Sequence, residues 1–195
     1  MNDVIATEGN LAVRLMRDER ADYDLMVGWR NSRHVREWWD PDDPPLTLAE
    51  AMEEFGPSLR GDDHTTSCIV DVAGRPVGFI QYYPWDDEAE YLAEVGVAVP
   101  ASAWGIDLFI GEPDLIGQGI GTRLVRLVSE HLFAEKGASA VALATETGNA
   151  RAQAAYVKAG MRTVQEFHDT DTRGGQRVES FLMIRDRPGG TAGGQ

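Results

Sequence analysis

The chain is poor in cysteine, in positive charge and in long apolar runs. Cys68 is the one cysteine, so no intramolecular disulfide forms and a reducing, cytoplasmic setting is favoured. No apolar run approaches the ~18 residues a transmembrane helix needs. The first ten residues are polar and acidic and lack the basic stretch and apolar core of a secretory signal. Lysine and arginine total 18 against 32 aspartates and glutamates, a net charge of −14. That balance argues against nucleic acid, because phosphate backbones are held by basic footprints. It suits a small cationic ligand drawn in by the field of the whole protein. The four histidines (His34, His64, His131, His168) show no ligand spacing and no Cys/His cluster exists, so no metal is expected.

What is present reads as one α/β domain over residues 11–187, between a loose N-terminus (1–10) and a glycine-rich, disordered tail (188–195). Val13–Arg17 reads as a strand. Asp22–Trp39 has a helical apolar pattern, broken near Asn31-Ser32. Thr47 and Glu50 form a capping box for a helix to about Leu59. The period then changes to strands at Ser67–Asp71, Pro76–Tyr83, Tyr91–Val99 and Trp104–Ile110, with a tight hairpin at Ala73-Gly74. Ile120–Lys136 is an amphipathic helix stopped by Gly137. A strand at Ala140–Ala144, a helix capped by Asn149 and ended by Gly160, and strands at Arg162–Phe167 and Val178–Ile184 follow, the last two joined by a polar turn over Asp169–Gln176.

Gly105 to Gly121 is the most informative stretch. It sets one carboxylate, Asp107, in an apolar strand, where Asp is disfavoured. It then delivers the chain through Gly117, Gly119 and Gly121 into the start of a helix. Bare backbone amides and a helix N-terminus, carrying about half a positive charge, form an anion site. A nucleotide P-loop is excluded, because no lysine follows these glycines. A dinucleotide fingerprint is also excluded, because the spacing is G-x-G-x-G with no acid on the next strand.

A second motif decides between a ligand loop and a plain turn. Asn149-Ala150-Arg151-Ala152-Gln153-Ala154-Ala155-Tyr156-Val157-Lys158-Ala159-Gly160-Met161, paired with Gly117-Gln118-Gly119-Ile120-Gly121, resembles the GNAT superfamily of N-acetyltransferases across roughly Leu11 to Ile184. The resemblance implies a mixed, mostly antiparallel sheet of about seven strands flanked by helices. It also implies acetyl-CoA as cosubstrate, on Gly117, Gln118, Gly119, Ile120, Gly121 and Thr122 for its pyrophosphate. Phe109, Ile110, Asn149, Ala152 and Tyr156 would flank its pantetheine and sulfur. Ile116 stands where the superfamily usually has Arg or Gln.

Within the superfamily, Glu37-Trp38-Trp39, Gly74-Arg75-Pro76-Val77-Gly78-Phe79-Ile80-Gln81, Gly105-Ile106-Asp107 and Gly119 to Arg126 resemble aminoglycoside 6′-N-acetyltransferases. The likeness implies Asp107 as general base or amine-orienting group and Tyr156 as the proton donor to the departing thiolate. Trp38, Trp39, Gln81, Asp107 and Asp171 would contact the acceptor, a small cationic aminosugar. Direct attack in a ternary complex leaves Cys68 without a role. Pro100 and Ala144 stand where the family carries acids, with Glu146 the nearest substitute for the second. A kasugamycin-type 2′-amine, a siderophore or lysine amine, or a non-catalytic acyl-CoA-binding domain therefore stay open as alternatives. Membrane partners are not expected, and a monomer or a homodimer is.

Overall fold

The computed structural model describes residues 3–189, the side chains of 171 and 172 excepted. Strands β1 (Val4–Glu8) and β2 (Leu11–Leu15) pair antiparallel around Gly9, whose φ of 61° suits glycine. Helices α1 (Arg20–Arg30), α2 (Arg33–Arg36) and α3 (Leu48–Arg60) follow, α3 opening on the Thr47/Glu50 capping box. Strands β3 (Thr66–Val72) and β4 (Arg75–Pro84) turn at Ala73-Gly74, both at positive φ, as a two-residue hairpin requires. Next come α4 (Ala89–Val95), β5 (Trp104–Ile110), α5 (Ile120–Glu135), β6 (Ala140–Glu146), α6 (Ala150–Lys158), β7 (Arg162–Arg173) and β8 (Gln176–Asp186).

The strands form one 8-stranded sheet in the order β1-β2-β3-β4-β5-β6-β8-β7. Every neighbouring pair is antiparallel except β5 and β6. That parallel pair is joined only at Trp104↔Val141 and Gly105↔Ala142. Beyond it β5 stays with β4 to Ile110, while β6 stays with β8 to Glu146. The sheet therefore splits into a wedge. One core cluster sets Leu124, Val125, Val128 and Leu132 of α5 against the sheet, and another packs Tyr23, Met26 and Phe55 of α1 and α3 on Ile69 and Phe79. Each such side chain contributes roughly 1.5–3 kcal/mol of apolar burial.

Three sequence expectations are corrected. The N-terminus expected to be loose forms β1, because Val4, Ile5 and Thr7 complete an edge strand on β2. The strand expected at Tyr91–Val99 is α4, closed by Gly96 at φ 69°. Tyr91, Leu92 and Val95 pack there beneath Trp85, and β4 pairs directly with β5, leaving no place for another strand. The turn expected over Asp169–Gln176 is confined to Gly174-Gly175, and β7 and β8 run on to it. The disordered tail expected from residue 188 lies, from 190 onward, outside the described residues.

Candidate active site

The wedge opens a cleft of about 730 Å3 that runs from the glycine loop to the β7–β8 face. On β5, Gly111 donates to the Val77 carbonyl at 2.8 Å, which turns the backbone polar groups of odd-numbered residues toward β4. Those of Ile106, Leu108 and Ile110 then face the wedge. His34 Nε2 lies 3.2 Å from the Ile110 carbonyl and closes the strand end. Leu108 presents both an N–H and a C=O along this edge, the pattern that an added strand or an amide-bearing arm pairs with.

At one end of the cleft stands the start of α5. Thr47 and Asn149 cap α3 and α6 with their own side chains, whereas α5 has no side-chain cap and no acid in its first turn. The N–H groups of Gly119, Ile120, Gly121 and Thr122 are the donors a helix start leaves over. Gly117 and Gly119 both have φ of 80°, the left-handed region. Gly121 does not, and a Cβ there would meet nothing within 4 Å. Glycine in a helix costs about 1 kcal/mol against alanine, and no protein group claims the space this one leaves. The bare surface therefore fits a bulky anion approaching from outside. Arg151 and Lys158 of α6 are also in the cleft wall.

Asp107 sits deep in the wedge, directly opposite Gln81 in the β4–β5 register. Gln81 Nε2 donates to its Oδ2 at 2.9 Å, and the neighbouring Tyr83 hydroxyl also favours the charged form of the carboxylate. Burial pushes its pKa above the usual carboxylate range, Gln81 and Tyr83 pull it back, and the charges of Asp169 and Glu88 push it up again. Tyr83 reaches Asp107 because its ring lies over Gly105, where a Cβ would come within 2.3 Å of Cε2. Tyr156, buried on α6, faces the same cleft, and burial together with the Asp107 charge holds its phenol far above its ordinary pKa. It stays a neutral proton donor at physiological pH. Cys68 lies on β3 within the core, its thiol pushed up to about 12 by burial, so it is no nucleophile there.

The opposite wall is aromatic and acidic. Trp85 stacks on Tyr91 at 5.9 Å, and the Tyr91 hydroxyl donates to Asp169 at 2.9 Å. Trp38 faces the cleft with the Arg173 guanidinium 5.5 Å from its ring centroid, and Arg173 also bonds the Glu146 carboxylate at 2.9 Å. Trp39 borders the cleft but packs edge-on against Phe79 and Phe109, with its centroid 5.1 Å from that of Phe109. Asp40 pairs with Arg30 at 2.6 Å.

Of the residues expected to hold the cofactor, Phe109, Ile110, Gly117, Gly119, Ile120, Gly121, Thr122, Asn149, Ala152 and Tyr156 all line the cleft. Gln118 does not, and its amide folds back onto the Asp114 carbonyl at 2.6 Å. The Phe109 ring belongs to the aromatic core cluster, and the Asn149 side chain caps α6 through the Ala152 N–H at 3.1 Å. Trp38, Trp39, Gln81 and Asp107 border the acceptor half, and the Asp171 side chain lies outside the described residues. Tyr83, Tyr91 and Asp169 were not anticipated. Tyr83 was within reach, being two positions beyond Gln81 on the same strand face. Asp169 was not, because its place depends on the length of β7.

An acetyltransferase (GNAT) domain family model matches residues 18–169. The chain is 30% identical over 164 residues to the aminoglycoside N(6′)-acetyltransferase type 1 of Klebsiella pneumoniae, covering 80% of this chain and 77% of that protein. It is 29% identical over 119 residues to an N-hydroxyputrescine acetyltransferase of Acinetobacter baumannii, 59% of this chain and 53% of that one. Among solved structures, AAC(6′)-Ib in complex with ribostamycin and coenzyme A superposes with a TM-score of 0.75 at 25% identity, covering 92% of this chain and 94% of that one. With its split sheet and its bare helix start in place, the chain belongs to the GNAT acetyltransferase family.

Proposed function

We propose that the protein transfers the acetyl group of acetyl-CoA to a primary amine of an aminoglycoside, the 6′-amine first, in the cytoplasm, and so confers resistance. One observation carries this reading. A single cleft joins an uncapped, glycine-bare helix start to a buried carboxylate held by Gln81 and a neutral tyrosine. The names of the 30% identical Klebsiella protein and of the ribostamycin complex point to the same acceptor class.

Acetyl-CoA supplies an acyl thioester with a thiolate leaving group. The α5 start holds its phosphates and the free edge of β5 holds its amide-bearing arm. Asp107 pairs with the acceptor ammonium, orients it and takes one of its protons. The free amine then attacks the thioester carbonyl, the carbon–sulfur bond breaks, Tyr156 gives its proton to the departing sulfur, and the surplus proton on the new amide nitrogen returns to Tyr156. Gln81 aims Asp107, and Gln81 and Tyr83 favour its charged form against the upward push of burial. Positioned proton transfer of this kind is worth about 10²–10⁴-fold in rate.

The test is thiol release from acetyl-CoA across aminoglycosides, polyamines, putrescine hydroxylamines and lysine derivatives, with the acetylated position read by NMR. Turnover with kanamycin and acetylation at the 6′-amine are expected. Absence of turnover with every aminoglycoside at millimolar concentration would overturn the acceptor assignment.

A further inference from the structure

We propose that the Trp38 ring, the Glu37 carbonyl and the Glu146 carboxylate form a second cation subsite of the acceptor cleft. Arg173 of the protein itself occupies that subsite until a multiply charged acceptor displaces it. The inference rests on the aminosugar reading above and names how the acceptor's second charge is held.

Arg173 Nη2 donates to the Glu37 carbonyl at 2.6 Å and to Glu146 Oε1 and Oε2 at 2.9 and 3.1 Å. Its guanidinium carbon lies 5.5 Å from the Trp38 ring centroid. A carbonyl, a carboxylate and an indole face around one cation recognise ammonium and guanidinium alike. Trp38 and Glu146 line the cleft.

The walls of this subsite belong to fixed elements. Glu146 ends β6, and its carbonyl accepts from Gln153 Nε2 and the Asn149 N–H, each at 3.0 Å. Trp38 and Glu37 follow α2 directly, with Trp38 N–H bonded to the Val35 carbonyl at 2.9 Å. The cation arrives differently. It stands at the tip of the β7–β8 hairpin, beside Gly174 and Gly175 at φ of 61° and 73°. Beyond Arg173 the tip is tied to the segment between α2 and α3 through Gly175 N–H to Asp42 Oδ2 at 3.2 Å. The Arg173 side chain is 42% exposed against 19% for Glu146. The pocket is thus more sheltered than its occupant, and ion pairs this exposed are weak.

An acceptor with one amine needs only Asp107. One with several brings a second ammonium to Glu146, displaces Arg173 and frees the hairpin tip. Occupation by Arg173 lowers the apparent affinity for such acceptors by the fraction of molecules left open.

Arg173→Ala is expected to lower the KM for kanamycin about fivefold, while kcat and the KM for acetyl-CoA stay the same. Inhibition by glucosamine, which carries a single amine, should not change, and Arg173→Lys should behave as wild type. Glu146→Gln should raise the kanamycin KM. A direct readout is tryptic cleavage of the Arg173–Gly174 bond, followed by mass spectrometry. Kanamycin, or spermidine as a simpler polycation, should accelerate it severalfold with cleavage elsewhere unchanged. An unchanged or higher kanamycin KM in Arg173→Ala overturns the subsite while leaving the acetyltransferase reading intact. If wild type acetylates no aminoglycoside, that reading falls, and tryptic cleavage unmoved by both polycations then overturns the subsite as well.

Discussion

Adding a single methyl group at Gly105 should disable the carboxylate two residues away. In Gly105→Ala the new Cβ would stand 2.3 Å from Tyr83 Cε2 and 2.5 Å from Cζ, against about 3.5–4.0 Å for carbon atoms in contact. The ring must withdraw by more than ~1 Å. Trp85, with its centroid 5.4 Å from that of Tyr83, blocks one direction. Overpacking of this kind costs about 1–3 kcal/mol, which for a chain of this length lowers the melting temperature by about 2–12 °C. The displaced hydroxyl no longer favours the charged form of Asp107. The Asp107 pKa, already raised by burial, therefore rises further. Asp107 works as the carboxylate, so losing support for its charged form moves the acidic limb of kcat/KM to higher pH. Tyr83→Phe removes the same hydroxyl without the clash and should move the limb equally while the protein melts close to wild type. Thiol-release rates between pH 5 and 9, together with thermal melts, decide the matter. An acidic limb that stays in place in both variants refutes the claim that Tyr83 tunes Asp107.

Four further outcomes are expected. Asp107→Asn should lower kcat about 10²–10⁴-fold. It should also raise the melting temperature at neutral pH by a few degrees, because the folded protein binds this proton more tightly than the unfolded chain does; the gain should vanish at acid pH, where Asp107 is already neutral. Tyr156→Phe should lower kcat about 10- to 100-fold with acetyl-CoA binding by calorimetry unchanged, and a wild-type rate would remove it from the proton path. Asn149→Ala should cost about 1 kcal/mol in a denaturant melt, since it leaves the Ala152 N–H uncapped. Trp39→Ala should destabilise by about 2–4 kcal/mol, because its ring packs on Phe79 and Phe109.

The site was legible in the sequence where chemistry is local. The glycine loop, the α6 cap and Asp107 each depend on a few consecutive residues, and all stand in one cleft. What escaped depends on partners far along the chain. Val95, Val97 and Val99 alternate like a strand, yet Gly96 and the direct β4–β5 pairing make Ala89–Val95 a helix. Trp39 borders the cleft, but the aromatic rings of β4 and β5 packed around it are far along the chain, and the Arg30 guanidinium lies over its ring. Asp169 enters the cleft only because β7 continues past Phe167, an extension supported by its pairing with β8. Gly105 showed its meaning only when the Tyr83 ring was found above it.

The split between β5 and β6 also bears on how the molecule holds together. Among the described residues, two pairs, Trp104↔Val141 and Gly105↔Ala142, are the only ladder between a five-stranded and a three-stranded half. Helix α5 fastens the halves from one side through Leu124, Val128 and Leu132. Anything lying along the free edge of β5 acts as a missing strand, and its binding energy becomes mechanical cohesion of the sheet. At a hundred times its dissociation constant such a ligand adds about 2.7 kcal/mol. Amide hydrogen exchange should slow first at Leu108 and Ile110, next to the seam. The resting enzyme is thus a pair of half-sheets joined at a short seam, and its own substrate is the bolt.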